Sequence, residues 1–231
     1  MMNRLFFLFV IIWVVTPSLQ AQYNFTDGDL ADFFQGQYGQ GSTERFRNTK
    51  EIEGSPYLNK EFQKGVVYTG TNKRYDGILL RYNAFNDQIE FKNDKDQVLA
   101  VSNPESIYFI ELGGDKIVYR PYILNKRMKY GFFLVLGEGD MSLFVKKTTI
   151  LQQAIPSKGY QDAEPTQFVE KPDTYYLAEK GKAAKIIMNK KELPGLFPDK
   201  SKEVAAFIKK YKVKYNKPEK LIALVQYYNS L

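Results

Sequence analysis

The stretch Leu80-Arg81-Tyr82-Asn83-Ala84-Phe85-Asn86-Asp87-Gln88-Ile89-Glu90-Phe91 packs an Arg, two Asn, an Asp and a Glu among aromatics. Two chemistries could use such a set. The oxygens of Asn83, Asn86, Asp87 and Glu90 suit a hard cation such as Ca²⁺, which needs several oxygens converging on one point. A carboxylate pair at fixed separation in a cleft would suit glycoside hydrolysis. The candidates for that pair are Glu61, Asp76, Asp87, Glu90 and Glu111, and no spacing couples any two of them.

A β-hairpin accounts for the same residues. With a two-residue turn at Asn86-Asp87, Ala84 faces Ile89 and Tyr82 faces Phe91 on an apolar side. On the other side Asn83 faces Glu90, Arg81 faces Lys92, and Arg81 is diagonal to Glu90. Asn and Asp tolerate the left-handed turn conformation. A shift of one residue destroys this sorting. The turn puts Asp87 at the tip and Glu90 three residues down a strand, a poor arrangement for sharing one ion. The hairpin is the reading we adopt, with Arg81, Asn83 and Glu90 as a candidate polar binding surface.

The rest of the composition narrows the chemistry further. The 231 residues contain no Cys and no His. Disulfides and a lipidated Cys anchor are therefore excluded, as are the Ser-His-Asp triad, the Cys-His dyad, a His general base and His-based metal sites. No Gly-rich phosphate loop follows a strand, and no G-x-S-x-G elbow is present. No cofactor is expected, and a non-enzymatic role is favoured.

Met1-Met2-Asn3-Arg4 is a short positive segment, and Leu5 to Val15 is an unbroken apolar run. Thr16-Pro17-Ser18 breaks it, and Leu19-Gln20-Ala21 precedes Gln22. This is the layout of a cleaved signal peptide, residues 1–21. As a helix the run rises only about 16 Å, whereas a bilayer span needs about 20 residues. The expected location is the periplasm or the cell surface rather than the cytoplasm. Removing 1–21 removes Trp13, the only Trp, and Arg4, so the 33 basic residues become 32 against 26 acids, a net +6.

The elements that must position these side chains follow from periodicity. Residues 22–55 are polar and Gly/Gln-rich and read as a loosely ordered lead-in. An apolar knot at Leu30, Phe33 and Phe34 suits a short helix capped by Asp27 or Asp29. Asn24-Phe25-Thr26 fits the N-glycosylation pattern. Residues 56–151 read as an antiparallel β region of short Val-, Ile-, Tyr- and Phe-rich strands. Gly113-Gly114-Asp115 and Gly137-Glu138-Gly139-Asp140 supply hairpin connections within it. Residues 152–173 form a connection punctuated by Pro156, Pro165 and Pro172, which Tyr160 and Phe168 dock onto the sheet. Residues 174–231 give two short strands, a helical turn at Asn189–Leu193 stopped by Pro194-Gly195, and two amphipathic helices. One helix opens at Pro198-Asp199 with Val204, Phe207, Ile208 and Tyr211 at helical spacing. The other is capped by Asn216 and buries Leu221, Leu224, Val225 and Tyr228. The expected fold is α+β: an antiparallel β-meander, open or partly closed, followed by a C-terminal amphipathic helix pair.

From Lys171 to Lys220 there are fourteen Lys, six acids and no Arg. Lys209, Lys210 and Lys212 make its end a candidate surface for an anionic membrane. A solvated helix face explains it as well. Nucleic acid is not expected as a partner, because planar phosphate recognition favours Arg.

The chain resembles a family of exported proteins of Bacteroidota-type bacteria that has no established activity. The resemblance rests on Gly54–Phe62, Leu80–Asp87, Leu196–Lys200 and the ending Leu221–Leu231. It implies a periplasmic or surface location and a β-rich body with terminal helices, and it supplies no catalytic residues. The function expected is therefore a cell-envelope module that binds a protein, lipid or glycan, or that serves structurally. A carboxylate-dependent, glycosidase-like hydrolase of the periplasm is the alternative. An outer-membrane barrel is disfavoured, because the chain ends in helix rather than a final aromatic strand.

Overall fold

The computed structural model describes residues 26–34, 36, 52–157, 164–197 and 199–231. The signal segment 1–21, the Asn24 glycosylation pattern, Tyr160 and Pro198 lie outside the described residues.

The body is mostly β. The strands are β1 (Thr26–Asp27), β2 (Gln63–Thr69), β3 (Lys73–Asn83), β4 (Gln88–Lys92), β5 (Val98–Ala100), β6 (Ile107–Leu112) and β7 (Asp115–Leu124). They continue as β8 (Arg127–Gly137), β9 (Met141–Lys146), β10 (Thr149–Gln152), β11 (Gln167–Glu170), β12 (Thr174–Glu179) and β13 (Ala184–Ile186). The helices are α1 (Leu30–Phe34), α2 (Ser201–Lys210) and α3 (Pro218–Asn229). Turn chemistry explains the tight links. Gly113 and Gly114 both take positive φ between β6 and β7, as a two-residue hairpin requires.

The main sheet runs β5-β4-β3-β2-β6-β7-β8-β9-β12-β13. It does not end as an open meander. β13 pairs in parallel with β7, Ala184 opposite Tyr122 and Lys185 opposite Ile123. β7, β8, β9, β12 and β13 thereby close into a five-stranded barrel. Two pairings distant in sequence make this closure, β9 with β12 and β13 with β7, and hydrophobic alternation carries no signal for either.

The barrel strands are buried on both sides. Val118, Tyr122, Phe133, Phe144, Tyr176, Ala178 and Ala184 fill the interior. Tyr122 meets Phe133 and Tyr176 edge-on at 5.3 and 5.6 Å between centroids. Phe133 meets Tyr176 at 5.1 Å. Edge-to-face contacts of this kind add to the stabilisation from burying each ring. The opposite faces carry Ile117, Phe132, Leu134, Leu143, Val145, Tyr175 and Leu177 into a larger core shared with β2, β3, β4 and the helices. A transmembrane barrel is built the other way, with a lipid-facing exterior and a polar lumen.

Several expectations are corrected. The strands at the two ends of the connection 152–173 were not expected to pair, yet β10 and β11 form a separate two-stranded ribbon, Thr149 opposite Glu170 through Gln152 opposite Gln167. Phe168 is buried there and meets Phe85 edge-on at 5.4 Å. In the lead-in, β1 pairs in parallel with β3, and α1 buries Phe33 and Phe34 against Tyr75 and Phe91. Asp29 opens α1 as expected, its carboxylate accepting from Ala31 N–H. The turn expected at Asn189–Leu193 is a 3₁₀ helix at Leu193–Leu196, so Pro194 and Gly195 lie inside it rather than stopping it. Lys217, not Asn216, caps α3, with Pro218 at the first position. Leu221, Leu224, Val225 and Tyr228 are buried as the helical stripe requires, as are Val204 and Ile208 of α2, whereas Phe207 is half-buried and Tyr211, past the end of the helix, is exposed.

Candidate functional site

The opening hairpin exists, with its pairing shifted by two residues. Arg81 faces Glu90, Tyr82 faces Ile89 and Leu80 faces Phe91. A shift of two keeps every side chain on its expected face. The turn has four residues, Ala84 to Asp87. Asn83 Oδ1 accepts from the N–H groups of Phe85 and Asn86 and shapes it, and Asp87 takes φ 56°.

The polar side of the hairpin is buried. Glu90 is 0% exposed and Asn83 3%. Arg81 donates to the Glu90 carboxylate at 2.6 Å, and Asn83 Nδ2 donates to the other Glu90 oxygen at 3.0 Å. The guanidinium lies between the rings of Tyr57 and Phe62, 3.5 and 4.2 Å from their centroids, and also donates to the Lys60 carbonyl. Burial, followed by the Glu90 charge, raises the Tyr57 phenol above its ordinary pKa. Arg81, Asn83 and Glu90 thus meet, as the sequence suggests, but they clamp the segment around Tyr57–Phe62 onto the sheet rather than form an open binding surface.

Asp87 does not sit free at a tip. Its carboxylate accepts from Tyr82 Oη at 2.7 Å, from Lys146 Nζ at 2.7 Å and from Phe132 N–H at 3.2 Å. Lys146 follows Phe144 on the inward face of β9. Its ammonium also donates to the Phe132 carbonyl and stands 4.8 Å from the Phe133 centroid. Desolvation lowers the Lys146 pKa, with Asp87 opposing it. Burial raises Tyr82 well above the ordinary phenol value and Tyr176 to about 12. The Asp87–Lys146 pair plugs one end of the barrel. Gly131 belongs to this plug, because a Cβ there would collide with the Asp87 carboxylate and lie 2.7 Å from Lys146 Nζ. Asp87 and Glu90 therefore serve two separate cations. The oxygens proposed for a Ca²⁺ site do not converge.

Of the other candidate carboxylates, Asp76 and Glu111 flank Val66 on neighbouring strands and are linked through Arg74, which donates to Tyr68 Oη. Asp76 pairs with Arg74, Glu111 accepts from Tyr68 Oη, and Glu61 is exposed. No two of the five share a partner in these contacts. Lys209, Lys210 and Lys212 are exposed at the end of α2, away from the hairpin network. Lys209 and Lys210 lie in the last turn of α2, where the helix dipole favours cations, and Lys212 lies just past its end with φ 50°.

Opposite the plug, the barrel opens into a cavity of about 380 Å³, within the usual range for ligand sites. Val118, Phe144 and Ala178 line its apolar part, Ser142 contributes a hydroxyl, and Arg120, Glu138 and the β12–β13 turn Glu179–Lys182 form the rim. Lys116 pairs with Glu138 at 2.7 Å and Lys182 with Glu179 at 2.7 Å. Arg120 donates to the Tyr119 carbonyl at 3.3 Å and forms no ion pair among the described residues. A half-buried guanidinium at the edge of an apolar cleft suits a carboxylate or phosphate, which its planar fork binds in two places.

Arg120 was not among the residues that sequence reasoning selected. Its signal was there: a charged residue in Ile117-Val118-Tyr119-Arg120-Pro121-Tyr122, at the inward position between Val118 and Tyr122. Lys180 and Lys182 carried no local signal and reach the rim only through barrel closure. Comparison with protein-family models, with curated proteins and with solved structures finds no match.

Proposed function

We propose that the chain is an exported cell-envelope binding module that holds the anionic group of a lipid, glycan or protein ligand in the open mouth of its barrel. The layout of residues 1–21 and the resemblance to exported β-rich proteins of Bacteroidota-type bacteria support export. The observation that carries the ligand reading is Arg120, which lines a cavity of about 380 Å³ without a carboxylate partner among the described residues. The apolar floor suits the body of such a ligand, and Lys180 adds positive charge at the rim.

The test is native mass spectrometry of the protein purified gently from its own envelope. The wild type is expected to carry the extra mass of a small lipid or glycan, or of a protein partner, and Arg120→Gln to lose it. Wild type without added mass, or equal retention by Arg120→Gln, removes the barrel mouth as the site.

A further inference from the structure

We propose a second interaction surface at the plugged end of the barrel: the tip of the β7–β8 hairpin docks on an anionic lipid bilayer. It rests on observations independent of the barrel mouth.

The hairpin is paired to its tip. β7 and β8 pair up to Leu124 opposite Arg127, and Asn125 and Lys126 both take positive φ in a two-residue turn. On β8 the tip is bare, whereas Leu124 of β7 still packs against the barrel core. Met128 is 59% exposed and Tyr130 53%. They share one side of β8 with Phe132 and Leu134, and Tyr130 is steadied by stacking on Tyr119 at 6.1 Å. The opposite side carries Arg127 and Lys129, with Lys126 at the turn, all exposed.

The charge is one-sided. From Pro121 to Gly137 the sequence has three cations, Lys126, Arg127 and Lys129, all at the tip, and no acid. β13 runs parallel to β7 and therefore ends at the same end of the barrel. Just beyond it come Met188, 63% exposed, and the exposed Lys190 and Lys191.

An amphipathic ribbon of this kind matches a membrane interface. Tyr and Met enter the headgroup region while long Lys and Arg side chains reach to anionic headgroups. Charge complementarity selects the occupant. The apolar side chains are few and lie on a projecting tip rather than in a groove, so a fluid surface fits them without shape complementarity. Docking there turns the open mouth away from the bilayer, toward the aqueous side.

The test uses the chain from Gln22, which keeps every described residue and lacks the apolar run Leu5–Val15 that would itself bind lipid. It is sedimented with vesicles of phosphatidylcholine alone and with vesicles containing phosphatidylglycerol. Binding is expected only to the anionic vesicles and is expected to weaken with salt. Lys126→Gln/Arg127→Gln/Lys129→Gln is expected to lose about fivefold in partition for each cation removed. Met128→Ser/Tyr130→Ser is expected to weaken binding with charge unchanged. Lys209→Gln/Lys210→Gln/Lys212→Gln removes equal charge elsewhere and is expected to bind as wild type. All these positions are exposed, and unchanged circular dichroism verifies folding. Tyr130→Trp supplies the sole Trp of this chain, and its emission is expected to shift to the blue on anionic vesicles. Absence of vesicle binding, equal loss in the two Lys-containing triples, or binding to soluble polyglutamate but not to vesicles overturns the proposal.

Discussion

Glu90 is buried together with Arg81 and Asn83, the residues with which the sequence groups it on an open polar face. It is fully buried, and its carboxylate is held by Arg81 and Asn83. An isolated carboxylate in such a place would be expelled or neutralised, so the pair exists only because both members are buried together. Glu90→Ala would leave the Arg81 guanidinium, 12% exposed between two rings, without its counter-charge. We expect a loss of about 3 kcal/mol, read as a lower urea midpoint at unchanged slope. A change within a few tenths would mean that water reaches Arg81 and that the clamp contributes little. The pairing of Arg81 with Glu90 was legible from alternation. Their burial was not, because the covering rings of Tyr57 and Phe62 come from a segment about twenty residues upstream with no periodic signal of its own.

At the scale of elements, α3 is tied to the barrel by more than its apolar stripe. Asn229 Oδ1 accepts from Met141 N–H at 2.9 Å, and its Nδ2 donates to the Met141 carbonyl at 2.8 Å. The side chain thus acts as one more ladder partner for the start of β9. Asn229→Ala strips both groups of Met141, a half-buried contact worth about 1–3 kcal/mol. The expected readouts are a lower melting temperature and faster hydrogen exchange at the Met141 amide. Unchanged exchange at that amide would show that water replaces the contact. The helices and most strands were readable because a stripe or an alternation is a local property of the chain. The β10–β11 ribbon was not, because its two strands lie on either side of a Pro-punctuated loop and each is only four residues long.

For the whole molecule, the buried tyrosines in and beside the barrel predict its alkaline behaviour. Tyr82, Tyr122 and Tyr176 are all raised, chiefly by burial. A group whose folded pKa exceeds its unfolded value contributes stability below the unfolded pKa, about 10 for Tyr, and loses it as pH rises through the folded value. Lys146 has the opposite sign. Its folded pKa is lowered, so the cost of burying its charge is relieved as pH rises toward the ordinary Lys value. The raised tyrosines outnumber it, so stability is expected to fall above about pH 10. In a tyrosinate absorbance titration, these three should ionise only in step with the loss of far-ultraviolet circular dichroism. Ionisation at the ordinary pKa with the fold intact would mean that the interior is wet.

Composition and local pattern determined a good deal. Absent Cys and His exclude whole chemistries however the chain folds. Alternation assigned side chains of the β3–β4 hairpin to their faces, and helical spacing chose the buried residues of α3 and two of the four expected on α2. These are properties of neighbours along the chain. Barrel closure, the Asp87–Lys146 plug and the cavity beside Arg120 were decided only in three dimensions. Each joins residues tens of positions apart, through pairings that depend on sheet twist and on whole elements meeting.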